Sequence, residues 1–222
     1  MRRSACVVLV LIISAFLSAQ EQVHPDVQQW LASEHARAAA SPLYQGALAA
    51  GGKTTSEYAT DPAKLLPGLK GLAKRADEIV LVHIIRDTSQ LSSTGDTVIT
   101  FYTGQILKRW KGHFNQDKIT FAVPMGVVAF DRSTQAATVI LGFQVIQVGG
   151  RYVLFLQFSQ PKERGLMPAL RLVGDGVQGA FEVHNDKIYP NYHFDGFDAI
   201  FRKMPIDQFV AAVDATHPNS RP

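Results

Sequence analysis

Cysteine is almost absent from this chain: Cys6 is the only one in 222 residues. It stands at the head of an apolar run, whereas a bacterial lipoprotein carries its lipidated cysteine at the end of that run, so this anchor is excluded. One cysteine forms no internal disulfide, and a folded body of roughly 200 residues must hold together by burial alone. Histidine pairs at the H-x-x-x-H or H-E-x-x-H spacing are missing, which removes the usual helical scaffold of a zinc hydrolase. There is no G-x-S-x-G, so nucleophilic catalysis has no signature either, and Ser56 and Ser159 lie in polar stretches without one. No apolar run reaches the roughly 20 residues that a spanning helix needs.

The amino terminus does carry a shorter run. Arg2 and Arg3 open the chain, "ACVVLVLIISAFL" comes next, and "SAQEQ" turns small and polar. Basic start, short apolar core and small residues, in that order, read as a secretory signal peptide over 1–19, cleaved after Ala19. The expected product is exported, periplasmic or extracellular, with no stable membrane anchor after cleavage. Losing Arg2 and Arg3 takes the formal charge from +3 to +1. A nearly neutral mature chain has no overall electrostatic footprint for nucleic acid.

Residues 20–75 read as a helical and looped extension. Pro25 is placed to open a helix in which Val27, Trp30 and Leu31 share a face. The stretch "SPLYQGALAAGGKTTSEYATDP" has no sustained period and reads as a linker or long loop. A short helix in "PGLKGLAKRA" places Leu69, Leu72, Ala73 and Ala76 on one side. From Ala76 the pattern changes. "EIVLVHIIR", "DTVITFYTGQILKRW", "DKITFAVP", "ATVILGFQVI", "RYVLFLQF", "LRLVG" and "GAFEVH" are strand candidates, separated by turn signals such as "STGD" and "QVGG". Short strands with no helix between them predict an antiparallel sandwich or barrel over 76–190, with a bend near Gly104. In 191–222, Ile206, Phe209, Val210 and Val213 recur at helical spacing after Pro205, which predicts an amphipathic helix closing the barrel as a lid.

Within "LRLVGDGVQGAFEVH" the run Gly174-x-Gly176-x-x-Gly179 has the skeleton of a phosphate-binding fingerprint. A dinucleotide site needs a helix next, to hold the pyrophosphate at its N-terminus. The residues after Gly179 alternate at period two, as a strand does. The expected element is a hairpin in which Gly174 and Gly176 turn the chain and Gly179 permits close backbone approach.

The blocks "ADEIVLVHI", "ITFYTGQILKRWKG", "DKITFAVPMG", "FQVIQVGGRYVLFL" and "GDGVQGAFEV" fall in an order that resembles bacterial secreted proteins with a netrin-like, OB-type barrel. The tissue inhibitors of metalloproteinases share that module. The resemblance spans Ala76 to Tyr189 and rests mainly on Gly149-x-Arg151-Tyr152-x-x-Phe155-Leu156 and Gly176-x-x-Gly179-x-Phe181. It implies a mainly β protein, an OB-like five-stranded Greek-key barrel with extra elements at its ends, and no enzymatic activity. Those inhibitors chelate zinc through an amino-terminal cysteine. The mature chain here has none, and no functional residue of that family maps onto it.

Candidate chemistry is sparse, and no cofactor is expected. His184-x-Asp186 and His193-x-Asp195 offer two imidazoles and two carboxylates if the chain folds them together, the basis of an alternative reading as a metal-dependent or carboxylate hydrolase using residues 182–198. Glu182 with Asp175 is another carboxylate pair. The barrel strand "FYTGQILKRWKGHF" interleaves aromatic and basic residues, as single-strand binders do, but charge and export argue against nucleic acid. The densest aromatic patch, "IYPNYHFDGFDAIF", contains Tyr189, Tyr192, His193, Phe194 and Phe197. Those five residues are the expected partner-binding site, for an unidentified protein or other envelope component, unless the rings pack between barrel and helix. A carrier of a small apolar ligand is the remaining alternative.

Overall fold

The structure is a computed structural model describing residues 36–112, 116–158, 170–193 and 200–216. The expected signal peptide and the Trp30 helix face lie outside the described residues. The chain divides into Met1–Ala39, of which residues 36–39 are described and helical, and Ala40–Pro222. In chain order the second unit contains helix α1 (Pro42–Ala49), strand β1 (Lys53–Glu57), a 3-10 turn (Pro62–Lys64) and helix α2 (Gly68–Arg75). Strands β2 (Glu78–Leu91), β3 (Val98–Lys111), β4 (Lys118–Val123), β5 (Gly126–Ala129) and β6 (Gln135–Val139) follow. Next come β7 (Arg151–Phe158), β8 (Leu170–Leu172), β9 (Ala180–His184), β10 (Lys187–Pro190), β11 (Met204–Pro205) and helix α3 (Ile206–Ala215).

Strands β7, β2, β3, β4 and β8 are neighbours in that order, and β8 pairs back onto β7, so five strands close a barrel. Every pairing in the ring is antiparallel except β4 with β8. Numbered among themselves, the barrel strands run 1-2-3-5-4-1, the Greek-key circuit of an OB-type barrel. The protein is mainly β, as the strand pattern predicts. Val80, Val82, Ile84, Tyr102, Phe121, Tyr152 and Leu154 alternate into the lumen and are all but inaccessible, so the barrel is filled by its own side chains.

Strand β7 explains what is packed outside. Its sequence is apolar at consecutive positions, and Val153 and Phe155 on the outward face are as buried as Tyr152, Leu154 and Leu156 within. A strand buried on both faces needs a second layer. Helix α2 supplies Leu69, Leu72 and Ala73, helix α3 supplies Phe209 and Val213, and the β9–β10 hairpin supplies Phe181, Val183 and Ile188. The ring of Phe181 lies 4.9 Å from that of Phe209 and 5.7 Å from that of Phe155. The amphipathic helix therefore forms as predicted, but it lies on the flank of the barrel and not over its end. The outward face of β7 is where uncovered apolar surface would otherwise remain. On the same side Lys111 Nζ donates to the carbonyls of Ala73 and Ala76 at 3.1 and 2.5 Å, satisfying acceptors that the C-terminus of α2 leaves open.

Two local expectations are corrected. The presumed linker holds α1 and β1, and residues from Ala40 onward form one compact unit with the barrel. Ser41 caps α1 by accepting the N–H of Tyr44, and Pro42 occupies its first turn. Strand β1 pairs in parallel with β6 in a separate three-stranded sheet with β5. Its residues, "KTTSE", carry no apolar alternation, and its partner lies some eighty positions on, so no local pattern announces it. The candidate strand "ATVILGFQVI" stops at Val139, because Gly142 turns the chain at φ +75° and Phe143 then bridges to Tyr192.

The docked helix sets a stability contrast. Phe209 is fully buried, so Phe209→Ala should cost about 3–5 kcal/mol, while exposed Gln208→Ala should stay within about 0.5 kcal/mol. Urea unfolding of the two variants measures the difference, and equal midpoints would contradict the packing described.

Candidate functional site

The glycine run is a buried loop that leads into a strand, as expected, but it is not the expected hairpin: β8 pairs with β4 and β7, β9 pairs with β7 and β10, and the two do not pair with each other because both sit on the edge of β7. Gly174, Gly176 and Gly179 have φ of +63°, +81° and +90°, a region that glycine enters without cost. A Cβ on Gly179 would stand 2.7 Å from the Phe155 carbonyl oxygen, so the backbones touch there. The two polar side chains of the loop are spent on structure. Asp175 accepts from the Asp61 N–H at 2.9 Å and from Lys64 Nζ at 3.3 Å, and Gln178 Oε1 accepts from the Leu66 N–H at 2.7 Å. The segment 58–66 thus lies across the loop where a phosphate would have to enter. Asp175 is not paired with Glu182, which sits half-buried on β9 opposite Tyr152 and Tyr189.

The expected aromatic site is divided by the fold. Tyr192 is 8% exposed and belongs to the barrel core, with its hydroxyl 3.2 Å from Thr60 Oγ1. Tyr189 on β10 and His193 beyond it are half-buried. His193 donates its backbone N–H to Gly142 O. Phe194 and Phe197 lie outside the described residues. Phe201 packs 5.5 Å from Phe181 in the second layer.

The hairpin register also keeps the two histidines apart. His184 pairs with Lys187 beside the turn, while Pro190, paired with Phe181, leads out of the other end toward His193. At about 3.3 Å per residue that separation is on the order of 15–20 Å. Among the described residues no three His, Cys, Asp or Glu side chains converge as metal ligands would, and Asp195 lies outside them.

Sequence reasoning missed the outward face of β2, β3 and β4. His83 alternates with the lumen residues Val82 and Ile84 and so points out, as do Gln105, Lys118 and Arg151 on the neighbouring strands. Register aligns these four in one row, Arg151–His83–Gln105–Lys118, about 14 Å across four strands. A second row is Arg86–Thr103–Thr120, with the threonine hydroxyls 3.2 Å apart. Arg86 reaches this row through a bulge. Ile84 pairs with Gly104 and Arg86 with Thr103, so Ile85 is an extra residue that turns Arg86 from the lumen side to the outside. The bend expected at Gly104 is thus realised on the strand opposite it.

A cleft of about 420 Å³ is lined by the second row, Arg86, Thr103 and Thr120, and by Lys118 of the first, together with Arg109, Gln116 and the buried Ile119 and Leu170. Arg109 is fixed at the barrel end: its guanidinium meets Glu78 Oε2 at 3.3 Å and donates to Gln116 O at 3.2 Å. Glu78 is buried at the first position of β2, and Gly112 has no Cβ because one would collide with that carboxylate. Neither Arg86 nor Lys118 has a carboxylate within ion-pair distance among the described residues. Asp87 pairs with Tyr102, a lumen residue, so its side of β2 is opposite to that of Arg86. Burial, with Asp87 as the second cause, pushes the Tyr102 phenol up to about 12. In comparison with known proteins, no family model, curated protein or solved structure matches the chain.

The glycine loop makes two expected outcomes. Asp175→Ala strands the Asp61 N–H and should cost about 1–3 kcal/mol, with little of that from the half-exposed Lys64. ATP and NAD at millimolar concentration should leave the melting temperature of the wild-type chain unchanged. A ligand at a hundred times its dissociation constant would add about 2.7 kcal/mol, so a thermal scan that shifts with either nucleotide sinks this reading of the loop.

Proposed function

We propose that this chain is an exported, non-enzymatic binding module that engages a protein or other envelope component of acidic character through the outward face of β2, β3 and β4. The observation that carries the reading is the division of the barrel's outer surface. Over β7 it is apolar and covered by α2, α3 and the β9–β10 hairpin, whereas over β2, β3 and β4 it carries the exposed Arg86 and Lys118 among half-buried polar residues, with Ile85 and Leu107 exposed beside them. OB-type barrels take oligomeric ligands on the face of their second and third strands, here β3 and β4. The netrin-like resemblance points the same way, since such modules act by binding. Tyr102, Phe121 and Tyr152 occupy the lumen, which supports a ligand on the barrel over one inside it. Export is the reading of the leader, and it places the partner in the envelope or beyond.

Capture of envelope components by the immobilised mature protein tests the proposal. Arg86→Glu with Arg151→Glu should reduce specific capture by about tenfold or more, corresponding to about 1.4 kcal/mol, and the bound material should elute with salt. Lys53→Glu, on β1 in the other sheet, should leave capture intact. Undiminished capture by the doubly reversed face would reject it.

A further inference from the structure

We infer that the cleft between Arg86 and Lys118 is a subsite for a phosphate-type oxyanion carried on a small polar ligand or on one unit of a larger one; the inference rests on reading this face as the binding face. Three observations converge. The first is charge. Arg86 and Lys118 are exposed, line one cleft and have no carboxylate partner among the described residues, and none of the lining residues is acidic. Like charges held on one surface repel each other, and an anion between them removes that cost.

The second is hydrogen-bonding capacity. Thr103 and Thr120 place two hydroxyls 3.2 Å apart on the same face. Each hydroxyl carries one proton, so the pair uses one between them and keeps one donor for a ligand. Arginine, lysine and hydroxyl donors together are the set that tetrahedral oxyanions are held by. The third is size. At about 420 Å³ the cleft falls in the range of small-molecule sites, roughly 300–1,000 Å³, and has room for more than the oxyanion. Ile119 and Leu170 also border the cleft, although their side chains belong to the barrel core. Arg109, already neutralised by Glu78, contributes shape and little net charge.

Inorganic phosphate and glycerol 3-phosphate are the probes, titrated into the full mature chain and followed by amide NMR and calorimetry, with glycerol as the uncharged control. Both phosphates should bind saturably in the millimolar range, with amide shifts concentrated at Arg86, Thr103, Lys118 and Thr120. Glycerol 3-phosphate should bind the more tightly if the phosphate belongs to a larger ligand, and no more tightly than phosphate if the free ion is the ligand. Lys118→Ala and Arg86→Ala should each weaken binding several-fold, and Lys118→Arg should restore most of it. These exposed positions leave the fold unchanged, which the melting temperature of each variant checks. Absence of saturable binding, shifts confined to another surface, or undiminished binding in the double alanine variant would overturn the subsite. Loss of the subsite alongside intact, charge-dependent capture of an envelope partner would leave the binding module standing and remove only this inference.

Discussion

Phe155 donates its N–H to Gly179 O at 2.7 Å and accepts the Val173 N–H at 3.1 Å, so one residue of β7 carries both strands of that edge. On one side of this point β7 pairs with β8 and closes the barrel. On the other it pairs with β9 and extends the sheet toward β10 and β11. Both peptide groups are buried, and leaving either unpaired would cost about as much as a typical substitution in a core. The switch needs a loop that leaves the edge and returns to it within a few residues. Three glycines with positive φ provide the turn, and the missing Cβ of Gly179 provides the approach. The same ring of Phe155 then anchors the aromatic layer under α3. Barrel closure, hairpin extension and helix docking all meet at one position.

Much of this was legible because it is local or periodic. The unbroken apolar run of β7, the alternation of β9 and the helical spacing of Ile206, Phe209, Val210 and Val213 each state a burial pattern that the fold then realises. What escaped depends on distant pairing. Strand β1 is polar and owes its existence to a parallel register with β6 that nothing within its five residues encodes. The site of helix α3 escaped for a related reason. Its apolar stripe shows that it docks, but only the doubly buried β7 shows where.

In the aromatic patch, density of rings does not distinguish interior from interface. Tyr192 is held in the core by its bridge to Phe143 and by the Thr60 hydroxyl, and Phe201 by Phe181. The outward face of β2 to β4 left a fainter trace, single polar residues spaced by apolar ones on three strands. Strict alternation would have placed Arg86 with Val80, Val82 and Ile84 inside the barrel, where an unpaired cation is not tolerated. That conflict was a readable sign of a bulge, since an extra residue is the least disruptive way to return the charge to water.

Net charge hid the face as well. A formal charge of +3 over 222 residues says that acids and bases nearly balance over the whole chain, and nothing about how they are distributed. The barrel separates them by strand geometry. Neighbouring residues on a strand point to opposite sides, so Arg86 and Asp87 cancel in the total and face away from each other in space. Glu78 is withdrawn into the barrel end, where it neutralises Arg109 and has no effect on Arg86 or Lys118. Asp175 is likewise consumed by Asp61 and Lys64 beneath the strap that covers the glycine loop. Arg86 and Lys118 are among the cations left exposed, and they share a cleft on a part of the barrel wall that neither helix covers.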